Sequence, residues 1–114
     1  METNEINEGN KLIAQFMGWT NEGDENYWRT PNDNYEMPNK FHSSWDWLMP
    51  VVEKIGKEYR VKITWMPDAI DVTYIERTDV FDDEITSFGG GTVIENTFKA
   101  VVQFIKWHNT NEPA

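Results

Sequence analysis

The sequence predicts an α+β fold in which a small antiparallel sheet packs against α-helices, in an α/β/α-sandwich-like arrangement. Two kinds of spacing support this prediction. Apolar residues recur three and four positions apart within 44–55 and 93–108, which is the spacing of one helix face. Within 59–76 apolar and polar residues alternate, which is typical of half-buried strands. We expect a hairpin of these strands to form the centre of the sheet.

The first helix is predicted to end at Gly18, because glycine readily adopts the left-handed conformation that closes many helices. Gly9 weakens its first half, so that only about residues 10–17 are expected to be firmly helical. The following segment, 20–40, is rich in Asn, Asp, Glu and Pro and is predicted to be a long loop. A short strand over 27–30 is the exception.

The central helix is predicted to begin after Ser44, whose hydroxyl can accept a backbone N–H of the first turn. Pro50 should kink this helix or move its start to a later residue, because proline lacks a backbone N–H. Gly56 is expected to mark its end. Trp45, Leu48, Val52 and Ile55 are predicted to share one apolar face of this helix, which Trp47 and Val51 widen.

The hairpin is predicted from residues 59–66 and 70–76, with Tyr59, Val61, Ile63 and Trp65 on one face of its first strand and Ile70, Val72 and Tyr74 on one face of its second. The acidic stretch 79–88 is ambiguous and is interpreted as a third strand or an edge of the sheet. Thr92 and Glu95 form a capping box that begins the last helix. The expected core contains Leu12, Phe16, Leu48, Val52, Ile63, Val72, Phe98, Val102 and Ile105.

The length of 114 residues is that of a single domain, and an aromatic share of 14% indicates that it folds. Its ends, 1–8 and 109–114, are expected to fray. No apolar run is long enough to span a membrane, the N-terminus is acidic and polar, and cysteine is absent. These features predict a soluble, cytoplasmic protein.

The formal net charge of −10 argues against nucleic-acid binding, since proteins that bind phosphate backbones neutralise them with Lys and Arg. The charge can instead attract a basic partner or imitate the charge of a nucleic acid. The simpler interpretation is that it keeps the protein soluble.

Three stretches carry a resemblance to a known family: NKLIAQFMGW at 10–19, SSWDWLMPVVEKI at 43–55 and FKAVVQFIKW at 98–107. Together they resemble small phage and prophage proteins of gut bacteria, of the kind grouped as the phage "ABA sandwich" domain. The resemblance implies a sheet flanked by helices and a phage or mobile-element origin, and it brings no catalytic residues. The segment from Trp45 to Pro50 is more aromatic than the family pattern.

No enzyme or cofactor motif stands out in the sequence. His42 and His108 have no second His or Cys at metal-ligand spacing. The acidic runs 22–25 and 82–84 lack the order of a calcium loop. The glycines at 89–91 precede a helix, as in anion-binding loops, but Thr92 stands where a phosphate loop has Lys, and no strand is recognisable before them. We therefore predict a non-enzymatic protein without metal or cofactor.

Six tryptophans are many for a chain of this length, and some of them are expected to remain partly exposed near residues 20–40. This predicts a surface for a ligand or partner formed by Trp28, Tyr35, His42, Trp45 and Trp47. The favoured function is protein–protein interaction with an unknown partner, which can be a second copy of the chain in a homodimer. The alternative is a small-ligand binder with an aromatic pocket near Trp28, Trp45 and Trp47. The simpler interpretation of the tryptophans is that their rings pack into the core and leave only an edge exposed.

Overall fold

The computed structural model describes residues 2–23, 26–67, 71–77 and 83–111. Its elements in chain order are α1 (Thr3–Phe16), β1 (Trp28–Arg29), β2 (Tyr35–Glu36), α2 (Trp45–Glu58), β3 (Val61–Pro67), β4 (Asp71–Arg77), β5 (Asp83–Gly89) and α3 (Val93–Asn111). This confirms the α+β class. Helix α1 already begins at Thr3 and α3 continues to Asn111, and the fraying of these ends remains a prediction.

The main sheet has three antiparallel strands in the order β3-β4-β5. The predicted hairpin is confirmed as β3 and β4, although its turn, 68–70, lies outside the described residues. Residues 79–82 of the acidic stretch lie outside the described residues, and the rest of it is a strand, since β5 pairs with β4 and forms an edge of the sheet. A register shift between Ile75 and Glu76 interrupts that pairing.

The register decides which face of β4 is buried, and here the sequence prediction was wrong. Ile63 lies opposite Ile75, and Trp65 lies opposite Thr73. Because residues opposite each other in an antiparallel pair share a face, Thr73 and Ile75 turn toward the core and are 1% and 0% exposed. Val72 and Tyr74 lie on the other face and are only half-buried.

The helices pack on the face of the sheet that carries Val61, Ile63 and Trp65. The contacts of α3 with β4 and β5, and of α2 with β3, are the main ones between the helices and the sheet, and α1 packs on α3. On the opposite face, Met66 is 38% exposed, and Val72 and Tyr74 are half-buried. The described core therefore forms a layer between the sheet and the helices.

Most of the predicted core residues are confirmed as part of this layer. Leu48, Val52, Phe98, Val102 and Ile105 are at most 9% exposed. Leu12, Phe16 and Ile63 are partly buried and pack against the same cluster. Val72 is the exception, for the reason of register given above.

Helix α1 ends as the sequence predicts. Gly18 has a φ of +89°, and its N–H donates to the Gln15 carbonyl at 3.1 Å. The Trp19 N–H reaches back to the Ala14 carbonyl at 2.9 Å. This pair of bonds is a Schellman motif, which satisfies carbonyls at the helix end and turns the chain toward the 20–40 segment.

Helix α2 departs from two of its predicted features, the Ser44 hydroxyl cap and the end at Gly56. It begins directly after Ser44, whose backbone is extended but whose hydroxyl makes no capping bond. Pro50 lies inside the helix, on its exposed side, and does not delay the start. Gly56 also lies inside, because the helix continues to Glu58 and the chain then turns at Arg60, with a φ of +52°.

Helix α3 begins with the predicted cap, as the Glu95 N–H donates to the Thr92 hydroxyl at 3.2 Å. Gly89 is the last residue of β5, and Gly90 and Gly91 follow it directly, so the expectation that no strand precedes these glycines was wrong. Thr97 then ties α3 to the sheet. Its hydroxyl donates to the Val93 carbonyl at 2.7 Å and accepts the Trp65 indole N–H at 2.8 Å.

Gly9 allows α1 to approach α3 closely. A Cβ at this position would lie 2.6 Å from Cζ of Phe98 and 3.0 Å from Cγ2 of Val102. The Phe98 ring cannot easily move away, because it is 2% exposed. Although glycine weakens an isolated helix, it is the residue that fits between these two helices.

We predict that Gly9→Ala destabilises the protein, because overpacking of this kind costs about 1–3 kcal/mol. The gain in helix propensity, about 1 kcal/mol, offsets only part of that cost. Gly56→Ala is the matched control: its Cβ would lie 3.7 Å from the Val61 carbonyl oxygen, an ordinary contact, so the same propensity gain should stabilise the protein. Urea unfolding measures both. Equal effects of the two substitutions would contradict the close contact.

Candidate functional site

The segment 26–37 forms a small hairpin that the sequence predicted only as a strand within a loop. Strand β1 pairs with β2, with Trp28 opposite Glu36 and Arg29 opposite Tyr35. Its turn is held by Thr30, whose N–H donates to the Asn34 carbonyl at 2.7 Å and whose carbonyl accepts the Asp33 N–H at 3.0 Å. Pro31 suits the second position of such a turn. Asp33 adopts a φ of +64°.

The two faces of this hairpin differ sharply in exposure. Trp28 points inward and is 3% exposed. Tyr27, Tyr35 and Met37 are 49%, 58% and 39% exposed. Because successive side chains of a strand point to opposite faces, these three residues share the outward face with Arg29.

Arg29 is held by acidic neighbours on that face. Its Nη2 donates to Oδ1 of Asp33 at 2.6 Å, and its Nη1 lies 3.6 Å from Oε1 of Glu22. The hydrogen bond and charge of Asp33, and then the charge of Glu22, raise the pKa of the Arg29 guanidinium. The Tyr35 hydroxyl donates to the same Glu22 oxygen at 3.3 Å. The carboxylates thereby order the outward face of the hairpin.

Three aromatic rings stand next to the hairpin and support it. The ring centroids of Trp19, Phe41 and Trp47 lie 5.1–5.7 Å from one another, and Phe41 is 3% exposed. Aromatic pairs at these distances are favourable beyond the area they bury. The Lys40 ammonium lies 5.7 Å from the Trp47 ring centroid. Trp47 thus has its position set by two rings while it remains half-buried.

Asn10 of α1 connects this aromatic triad to the helices. It is 1% exposed, and its Oδ1 accepts the Phe41 N–H at 3.0 Å. That bond orients the amide, so that Nδ2 donates to Nδ1 of His42 at 3.1 Å. The His42 ring also contacts the Phe98 ring edge to face, with centroids 5.9 Å apart. His42 therefore packs against the Phe98 ring and is hydrogen-bonded to the Asn10 side-chain amide.

The hairpin, the triad and the start of α2 enclose an open groove of about 310 Å³. We call it the hairpin groove, and it is lined by Tyr27, Tyr35, Glu36, Met37, Asn39, Lys40 and Trp47. Its walls combine exposed rings, a thioether, one carboxylate and one ammonium. Such a surface can hold an extended segment or a flat group by stacking and by charge.

The structure brings together only two of the five predicted site residues, Tyr35 and Trp47. Trp28 is buried under the hairpin, and His42 is bonded to Asn10. Trp45 is 38% exposed but does not line the groove. It is two residues from Trp47, which places it about 200° away around the helix. Trp28 and Trp45 therefore do not line this groove together with Trp47.

Sequence reasoning missed Tyr27, Met37 and Lys40, which line the groove. A signal for the first two existed. The alternation around the Pro31-Asn32-Asp33-Asn34 turn places Tyr27 and Met37 on the face opposite Trp28 once a hairpin is assumed. Lys40 has no such signal, because its position over Trp47 depends on the tertiary structure.

A second groove, of about 360 Å³, runs between α1 and α3. Glu5 and Glu8 form one wall and Lys99 and Lys106 the other. Its floor residues Phe98 and Val102 are only 2% and 9% exposed, so a ligand there would gain little apolar contact.

Among the residues that the structure describes, no three His, Asp or Glu side chains cluster as metal ligands would. None of the described helices combines the length and apolarity needed to cross a membrane.

Comparison of the chain with models of protein families, with curated proteins and with solved structures finds no match. The candidate site is accordingly defined by its own geometry. The resemblance to phage "ABA sandwich" proteins remains a prediction.

We predict that Asn10→Ala destabilises the protein by about 1–3 kcal/mol, because the buried Phe41 N–H loses its acceptor. Asn7→Ala is the control. Asn7 also lies on α1 but is exposed, so the change should be neutral or slightly stabilising. Thermal unfolding followed by circular dichroism compares the two variants. A loss in Asn7→Ala as large as that in Asn10→Ala would argue against the role given to Asn10.

Proposed function

We propose that this chain is a non-enzymatic interaction protein that binds a segment of a partner protein in the hairpin groove. The observation that carries the proposal is the exposure of Tyr27, Tyr35 and Met37 on one face, beside the half-buried Trp47. Aromatic residues and methionine are enriched at protein interfaces. Exposure of apolar surface to water is unfavourable, so the grouping of these three exposed side chains on one small hairpin favours an interface.

The contacts that hold the groove in place before binding support the same proposal. The aromatic triad and Asn10 support one side, and the Glu22 and Asp33 carboxylates hold the other. A surface that is already ordered loses less conformational entropy when it binds. An enzymatic role has less support, because His42 faces the Asn10 amide. The phage origin and the cytoplasmic location are part of this proposal as expectations.

Two other occupants are alternatives. A small ligand would stack on Tyr35 and Trp47, but the groove is open along its length and gives more contact to an extended segment. A second copy of the chain would have to overcome the repulsion between two molecules that each carry a net charge of −10. A partner protein is therefore the favoured occupant.

Selection from a library of random short peptides tests the proposal. We expect enriched peptides that bind the wild type and lose about tenfold or more in affinity toward the double variant Tyr35→Ala/Met37→Ala, since anchoring residues of an interface commonly contribute more than 1 kcal/mol. Trp45→Ala/Met49→Ala is the matched control. It also removes an exposed aromatic ring and a methionine, which are 38% and 36% exposed and lie outside the groove.

The control should bind the selected peptides as the wild type does. The proposal fails if no enriched peptide distinguishes the two double variants, or if the control loses more affinity. A thermal-shift screen with nucleotides, sugars and amino acids covers the small-ligand alternative. A ligand present at 100 times its Kd stabilises a protein by about 2.7 kcal/mol, which is readily seen as a shift in Tm.

A further inference from the structure

We infer that the hairpin groove takes an arginine-bearing, basic segment of its partner. This inference rests on the proposed function and adds the chemistry of the occupant. Three features carry it: the charge near the groove, the aromatic rings that line it, and the presence of Glu36 in its lining.

The charge around the groove is negative. Among the described residues of 20–40, three are acidic (Glu22, Asp33 and Glu36) and two are basic (Arg29 and Lys40), within a chain that has 20 acidic and 10 basic residues. The positive charge of Arg29 is already balanced by Asp33 and Glu22. Glu36 lines the groove, and within the described part of the chain it forms no ion pair. The net negative charge would attract a basic segment over a long range, and Glu36 could then form an ion pair with it.

The rings of the groove suit a guanidinium more than an ammonium. Arginine is planar, stacks on aromatic faces and binds a carboxylate through two parallel N–H groups. Cation–π contacts already occur in this chain, with Lys40 at 5.7 Å from Trp47 and Arg77 at 5.3 Å from Trp107. Because Lys40 covers Trp47, the incoming guanidinium is placed against Tyr27 and Tyr35, in a groove that Glu36 also lines.

An NMR titration tests this inference with a capped peptide of alternating glycine and arginine as the probe. The matched probe replaces each arginine by citrulline, which keeps the shape and removes the charge. We expect saturable shifts at the Tyr35 and Met37 amides and at the Trp47 indole with the arginine peptide. The citrulline peptide should bind about fivefold more weakly or worse, since it loses a cation–π contact and an ion pair.

Two variants of the groove should act in opposite directions. Glu36→Gln removes the attracting charge and should weaken the arginine peptide about two- to fivefold, whereas Lys40→Gln removes a like charge and should strengthen it to a similar extent. Equal binding of the arginine and citrulline peptides, or no saturable shift with either, overturns the inference. If peptides that depend on Tyr35 and Met37 still emerge from the random library, the interaction function stands and only the arginine specificity falls.

Discussion

The close contact between Gly9 and the Phe98 ring is the constraint on which the rest of the structure depends. It seats α1 directly on α3, which is the helix that covers β4 and β5. At this short distance the next residue, Asn10, is buried and bonds the Phe41 N–H and the His42 ring. Phe41 in turn packs against Trp19 and Trp47. The position of Trp47 in the wall of the hairpin groove therefore depends on the contact between α1 and α3.

The charge of the protein and its aromatic content act together at that groove. Carboxylates around the hairpin neutralise Arg29 and orient Tyr35, so the negative charge has a structural role as well as an electrostatic one. At the same time, a net charge of −10 makes copies of the chain repel one another, which opposes their association through exposed rings. Under the proposed function, this repulsion favours a partner of opposite charge over self-association.

The sequence was sufficient for those features that depend on local spacing. Periodicity located α2, α3 and the β3–β4 hairpin, and Gly18 and Thr92 correctly marked a helix end and a helix start. The buried face of β4 was not predictable, because Val72 and Tyr74 alternate as regularly as Thr73 and Ile75, and only the register with β3 separates them. The predicted site residues differ from those that line the groove for the same reason, because tryptophan content cannot distinguish an inward Trp28 from an outward Tyr27. Gly9 weakens an isolated helix, and only the contact with the Phe98 ring in the folded protein explains why a glycine suits this position.

Hydrogen exchange of the Phe41 amide is the most direct measurement of this dependence. If Asn10 holds Phe41 from a buried position, that amide should exchange as slowly as the core amides of α1, for example that of Ile13, although it lies outside any helix or strand. Exchange at the rate of exposed loop amides, such as that of Lys40, would contradict the account, because the wall of the groove would then open independently of the helices.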